Sequence, residues 1–207
     1  DKVKGSAFEL LTDEDLKAED IIYKDSSLKF DMIVADEKLN NIDLVLNNYM
    51  DRERQLLYKL EAIRNLYDFI IIDCSPSLNL ATINSLAATD YIIIPVQADF
   101  LSIRGTAKLL ESIDKVKIRI NPKLDILGVF ITMYDNRKIN DKNIYETIQE
   151  QFKEKAFKTY IRENVKLKES PIEKKSVFEY DLTSNGAADY NSLMIEIWKR
   201  LGGKVNE

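Results

Sequence analysis

One carboxylate stands out by its position. Asp73 directly follows the apolar run Phe69-Ile-Ile-Ile72. A run of this kind drives a strand into a core and leaves the acid at its carboxyl end, where open α/β sheets bind ligands. A carboxylate there can hold a water on Mg²⁺ or orient a nucleophilic water. Ser75-Pro76-Ser77 then makes a tight turn, and Ser77 and Asn79 bring polar groups to the start of the next helix. A helix N-terminus favours an anion. An apolar run ending in Asp also closes many ordinary strands, so this string alone leaves both readings open.

The other residue types narrow the chemistry. The 207 residues contain no histidine, which removes Ser-His-Asp triads, imidazole bases and nearly all zinc sites. The single cysteine, Cys74, rules out an internal disulfide and fits a reducing compartment. No apolar run reaches the ~18 residues of a membrane span. A phosphate-binding loop needs a glycine-rich turn followed by Lys and Ser or Thr. None of the six glycines begins such a string. Gly202-Gly-Lys204 is followed by Val205, has no strand before it, and reads as a helix stop.

Short apolar runs mark the elements that must carry Asp73. Phe69–Ile72, Tyr91–Ile94 and Ile126–Thr132 scarcely alternate, as strands buried on both faces of a parallel sheet do. Phe30–Ala35 and Phe157–Ile161 are weaker strand candidates. Helical periodicity predicts helices over Arg52–Leu66, from the Asn79 cap to Ala88, around Ile103–Ile113, from Asp141 to Phe152, and from about Ala187 to Leu201. Alternating strands and helices imply βαβ crossovers and one α/β domain over 1–207.

Charge is uneven. Residues 1–100 carry a net of −9 and residues 101–207 a net of +4, which together give the chain's −5. Residues 137–175 hold eleven Lys or Arg against seven Asp or Glu. Such a stretch can contact phosphates without sequence preference, or be an ordinary solvated surface.

The longer strings resolve part of this. Tyr67-Asp-Phe-Ile-Ile-Ile-Asp-Cys-Ser-Pro-Ser-Leu78 resembles the Walker B and switch II segment of ParA/Soj-type DNA-partition ATPases. Ala88-Thr-Asp-Tyr-Ile-Ile-Ile-Pro-Val-Gln97, Thr132-Met-Tyr-Asp-Asn-Arg137, Tyr160-Ile-Arg-Glu-Asn-Val-Lys166 and Gly186-Ala-Ala-Asp-Tyr190 follow in the family's order. Ser75 stands where the family usually has proline. The resemblance implies a doubly wound, parallel-sheet, P-loop NTPase-like fold. It implies Asp73 as the catalytic, magnesium-side carboxylate, acting through a water. Met133, Arg162 and Asn164 fall near the adenine, and Arg137 and Lys166 at the two basic positions that contact DNA. The family's cofactor is Mg-ATP. Its partners are non-specific DNA, a ParB-like centromere-binding protein and a second copy in a homodimer. Its location is the cytoplasm, on the nucleoid, without a membrane. Arg104 and Thr106 read as surface caps.

The family's P-loop, first helix and second strand precede the region that this chain matches. The expected fold therefore lacks the first β-α-β block, and the chain alone is expected neither to bind nor to hydrolyse ATP. Two other classes remain: a nucleotide-free interaction module or relict of the family, and a MinD-like membrane-cycling relative.

Overall fold

The computed structural model describes residues 5–75 and 77–204, without the side chains of residues 100–104 and 107. The predicted side-chain roles of Ile103 and Arg104, and Pro76 in its turn, lie outside the described residues. The chain divides into two compact units, Asp1–Asp90 with Ser112–Leu124, and Tyr91–Glu111 with Asp125–Glu207.

The first unit is built from short helices. Helix α1 (Ala7–Thr12) begins at a capping box, in which the Ser6 side chain accepts from Phe8 N while the Glu9 carboxylate accepts from Ser6 N. Helices α2 (Ile42–Leu46), α3 (Gln55–Glu61) and α4 (Leu80–Ala88) follow. Leu10, Ile21, Leu60 and Ile63 form one buried cluster, and Leu11, Ile42 and Leu46 form another. Asn84 of α4 is fully buried and wholly used: its Oδ1 accepts from Leu56 N, and its Nδ2 donates to Arg52 O and Leu80 O. Lys59 of α3 donates to the carbonyls of Asp13, Glu14 and Leu16 just past the end of α1.

The second unit holds the sheet. Strand β1 (Tyr91–Gln97), helix α5 (Phe100–Arg119) and strand β2 (Asp125–Thr132) make a βαβ unit, with β1 and β2 parallel. Residues 112–119 of α5 belong to the first unit. Ile94 and Val96 pair in register with Val129 and Ile131, and all four are buried. Beyond β2 come α6 (Ile139–Phe152), α7 (Val165–Glu169), α8 (Val177–Tyr180) and α9 (Asn185–Arg200). The segment 156–162 runs parallel to β2 through bridges at Val129–Ala156 and Tyr134–Arg162. Phe130, Phe157, Ile161 and Leu193 are this unit's core. Gly202 adopts φ 83°, and the Gly202 and Gly203 amides donate to Lys199 O and Trp198 O, so the Gly-Gly pair does stop α9. No helix among the described residues is long and apolar enough to cross a membrane.

Several predicted elements differ. Phe69–Ile72 belongs to no helix or β-ladder among the described residues, and Ile71 is 91% exposed. A strand exists only as one member of a hydrogen-bonded pair, and the apolar pattern cannot supply the partner. Phe30–Ala35 keeps a single antiparallel bridge, Tyr23–Met32. The Arg52–Leu66 helix is shorter, because Ile63 N bonds Leu60 O three residues back and the chain continues as a 3₁₀ turn over Arg64–Leu66. Thr106, expected as a surface cap, is buried within α5.

Candidate functional site

Asp73 lies in the first unit, at the end of the apolar run Phe69–Ile72. Its side chain is exposed and has no hydrogen-bond or ion-pair partner among the described residues. The chain then turns: Ser75 Oγ and Ser77 Oγ lie 3.0 Å apart, and Thr82 Oγ1 donates to Ser77 O at 2.6 Å. Asn79 caps α4 as predicted, its Oδ1 accepting from Thr82 N at 3.0 Å. The anion that the sequence anticipates at this helix start is supplied internally. Leu80 N donates to Asp43 Oδ1 at 2.7 Å. Asp43 is 37 residues away in sequence, so no local pattern announces it.

The remaining site residues lie in the second unit, on the two loops that leave β2 and the 156–162 segment. Met133 directly follows β2, has φ 56° and is half exposed. Left-handed backbone is costly for a side chain with a Cβ and clusters at functional sites. This kink turns the chain so that Tyr134 is buried, its N–H donating to Ile161 O while its carbonyl accepts from Glu163 N. Those two bonds hold the Met133–Arg137 loop beside the Ile161–Asn164 loop.

Neither polar residue predicted near the adenine is idle. The Arg162 guanidinium grips buried Asp189 of α9, with Nε 2.9 Å from Oδ2 and Nη2 2.6 Å from Oδ1. Hydrogen bonding to that carboxylate raises the Arg162 pKa. Asn164 caps α7, its Oδ1 accepting from Lys166 N at 2.8 Å. Met133 is thus the one of the three whose side chain carries no polar duty.

The two predicted DNA contacts are cationic and engaged. Arg137 makes a bidentate pair with Asp135, Nε to Oδ1 at 2.9 Å and Nη2 to Oδ2 at 2.8 Å, while remaining open to water. The guanidinium holds the Asp135 carboxyl well below the usual carboxylate range. Lys166 Nζ lies 3.0 Å from Glu169 Oε2 and 5.4 Å from the centre of the Tyr180 ring. Its bond to Glu169 raises the lysine pKa, and Lys166 together with the Tyr180 hydroxyl lowers that of Glu169. Two neighbouring lysines that the motifs do not single out join the same region. Lys138 and Lys168 both pair with Glu163, at 3.7 and 2.8 Å. Both belong to the basic stretch 137–175, which is their trace in the sequence.

Two of the glycines are unavailable to a phosphate of Mg-ATP. Gly128 and Gly186 are closed off by Phe157, Arg200 and Leu167, so neither offers backbone to a phosphate. Among the described residues no three Asp, Glu or Cys side chains converge on a metal position. Asp73 provides one hard oxygen donor, and no phosphate cradle accompanies it among the described residues.

Comparison with known proteins gives the lineage. Residues 1–126 match the family model described as AAA domain. The sporulation initiation inhibitor protein Soj of Bacillus subtilis is 37% identical over 94% of this chain and 77% of its own length. The chromosome partitioning protein ParA of Myxococcus xanthus is 33% identical over 97% of this chain and 70% of its own. The chain belongs to the ParA/Soj family of partition ATPases. An uncharacterised Mycobacterium tuberculosis protein is 34% identical, and the chain spans 61% of its length. Among solved structures, a Cyanothece McdA variant in complex with ATP superposes with a TM-score of 0.84 at 19% identity, covering 100% of this chain and 79% of that one. Cobyrinic acid a,c-diamide synthase from Mycobacterium smegmatis, with bound ATP analogue and magnesium, gives 0.78 at 24% identity, covering 96% and 74%. These likenesses establish the P-loop NTPase-like α/β fold that the motif order implied.

Proposed function

We propose that this chain is the magnesium-side and DNA-facing part of an ATP-switched partition protein. In this reading Mg-ATP closes a homodimer in the cytoplasm. The dimer then holds nucleoid DNA without sequence preference, and a ParB-like centromere-binding partner stimulates hydrolysis and release. Asp73 holds a water on the magnesium ion, Met133 and the Arg162–Asn164 loop border the adenine, and Arg137 and Lys166 meet DNA phosphates. The observation that carries this is the exposed Asp73 carboxylate, without a partner among the described residues, closing an apolar run in a chain of this family. In this reading the phosphate cradle is not among these 207 residues, and the chain alone neither binds nor hydrolyses ATP.

The test has two arms. Calorimetric titration of the 207-residue chain with Mg-ATP is expected to show no binding in the micromolar range; micromolar affinity refutes the division of the site. In a parent protein that includes the cradle, Asp73→Ala abolishes hydrolysis. Arg137→Glu with Lys166→Glu abolishes salt-dependent binding to non-specific duplex DNA. Activity surviving the first change, or binding surviving the second, refutes the assigned roles.

A second reading, a nucleotide-free interaction module, has one observation in its favour: Ile70 and Ile71 are exposed on a run that joins no β-ladder among the described residues. Tight self-association of the chain, unchanged by ATP, would select it.

A further inference from the structure

Glu163 sits between two ammonium groups that come from different elements. Lys138 precedes α6 at its N-cap, and its Nζ lies 3.7 Å from Glu163 Oε2. Lys168 rises from α7, and its Nζ lies 2.8 Å from Glu163 Oε1. Each carboxylate oxygen therefore holds one lysine. All three side chains are about half exposed. The backbone fixes the arrangement, since Glu163 N donates to Tyr134 O at 3.0 Å and Lys138 N donates to Asp135 O at 3.0 Å. Arg137, the next residue along, extends into solvent from the same turn.

A phosphodiester carries the same single negative charge as this carboxylate and likewise offers two outer oxygens. We propose that Lys138 and Lys168 form a phosphate-contacting site beside Arg137, and that Glu163 occupies it as an internal stand-in for the DNA phosphate. The inference rests on the DNA-binding reading above and deepens it. It names two lysines as DNA contacts and makes Glu163 the residue that restrains them. The restraint is electrostatic. To gain both lysines, a phosphate must displace the carboxylate or bind beside it. A unit charge about 6 Å from the phosphate weakens affinity by about threefold at the dielectric constant of water and by about tenfold at half that value. Lysines already neutralised by a carboxylate also release fewer counterions on binding, which flattens the salt dependence.

The experiment is a fluorescence-anisotropy titration of a labelled non-specific duplex with the parent protein that includes the cradle, in the presence of Mg-ATP, at several salt concentrations. Glu163→Gln is expected to tighten binding about three- to tenfold at low salt and to steepen the log–log salt slope by about 1 to 2. Lys138→Gln with Lys168→Gln should weaken binding, and in that background Glu163→Gln should no longer tighten it. The coupling separates a local pairing from a general change in net charge. Equal tightening with and without the two lysines overturns the proposal. So does an unchanged or weaker Glu163→Gln protein when Arg137→Glu with Lys166→Glu still abolishes binding; the DNA reading then survives alone. Absence of salt-dependent binding in every protein overturns both. Should Glu163→Gln fail to fold by circular dichroism, Lys168→Gln and Lys138→Gln singly decide: wild-type affinity and slope in both overturns the proposal.

Discussion

Replacing Arg200 by Met should loosen the second unit specifically, and the size of the loss follows from its contacts. Arg200 ends α9. Its Nη1 donates to Leu127 O at 2.9 Å and Lys155 O at 3.1 Å, and its Nη2 to Ala156 O at 2.6 Å and Glu196 Oε1 at 3.1 Å. The guanidinium lies 3.9 Å from the centre of the buried Phe157 ring. One planar fork thus ties the last helix to the start of β2 and to the segment parallel with it. Gly128 makes the room, since a Cβ there would lie 2.3 Å from Phe157 Cε2 and 2.6 Å from Arg200 Nη1. Charge-assisted bonds are worth about 1.5–3 kcal/mol each when lost singly, but these share one side chain that is 19% exposed, so water can reach part of the gap. The ring contact adds about 1 kcal/mol and the Glu196 pair a few tenths. A net loss of about 3–5 kcal/mol is expected, hence a urea midpoint lower by about 1–3 M for an m-value of a few kcal/mol/M. Trp198, the chain's single tryptophan, stands two residues away on α9 and reports this unit by fluorescence. Arg200→Lys keeps the charge but cannot reproduce the fork, so it should recover less than half of the loss. A midpoint shift below about 0.3 M for Arg200→Met, or a lysine variant equal to wild type, would refute the reasoning.

Two further outcomes concern the first unit. Asn84→Leu keeps the volume but strands the Leu56 amide and takes the donor from Arg52 O and Leu80 O, so about 2–4 kcal/mol should be lost in urea melts followed by far-ultraviolet circular dichroism; a loss under about 1 kcal/mol would contradict it. Glu9 is held at a pKa of about 2, against 4.5 ordinarily, first by its bond to Lys38 and then by the Ser6 hydroxyl. A depressed carboxylate pKa stabilises the fold fully above pH 4.5 and loses that contribution as the pH falls towards 2. After allowance for solvent screening the loss is about 1–2 kcal/mol. Glu9→Gln should flatten this part of the stability–pH curve, and an unchanged slope would count against the capping cluster.

What the sequence made legible was whatever depends on neighbours along the chain. Asn79 caps α4 because Thr82 N is three residues on, and Tyr91–Ile94 and Ile126–Thr132 pair because a βαβ crossover places them side by side. The family strings located the loops at Met133–Arg137 and Ile161–Asn164, and the structure brings these together through Tyr134. The partners of the charged groups were not legible. Asp189 lies 27 residues from Arg162, Asp43 lies 37 from Leu80, and Arg200 lies 73 from Leu127. Composition showed a basic stretch at 137–175. Asp135, two residues from Arg137, is a partner the sequence offers, but only the fold shows that Lys138 and Lys168 share Glu163 and that Lys166 pairs with Glu169. A cation paired in the free protein contributes less to binding a polyanion than its formal charge suggests, so a count of lysines overstates the strength of this surface.

The unpaired run before Asp73 connects fold to site more tightly than any motif does. Burial of an isoleucine side chain stabilises a fold by about 1.5–3 kcal/mol, and Ile71, at 91% exposure, contributes almost none of it. Its backbone also lacks, among the described residues, the ladder that fixes an interior strand. A parallel neighbour laid along Ile70–Ile72 would recover the apolar burial and the ladder together. It would also fix the direction of the Asp73 carboxylate, whose position now depends on the Ser75–Ser77 turn and the Thr82 hydroxyl that braces it. Completing the sheet and fixing the direction of the Asp73 carboxylate would therefore be one structural event. A protein of this family that pairs this run should hold the Asp73 carboxylate in one direction, whereas one that leaves it open lets the carboxylate follow the turn alone.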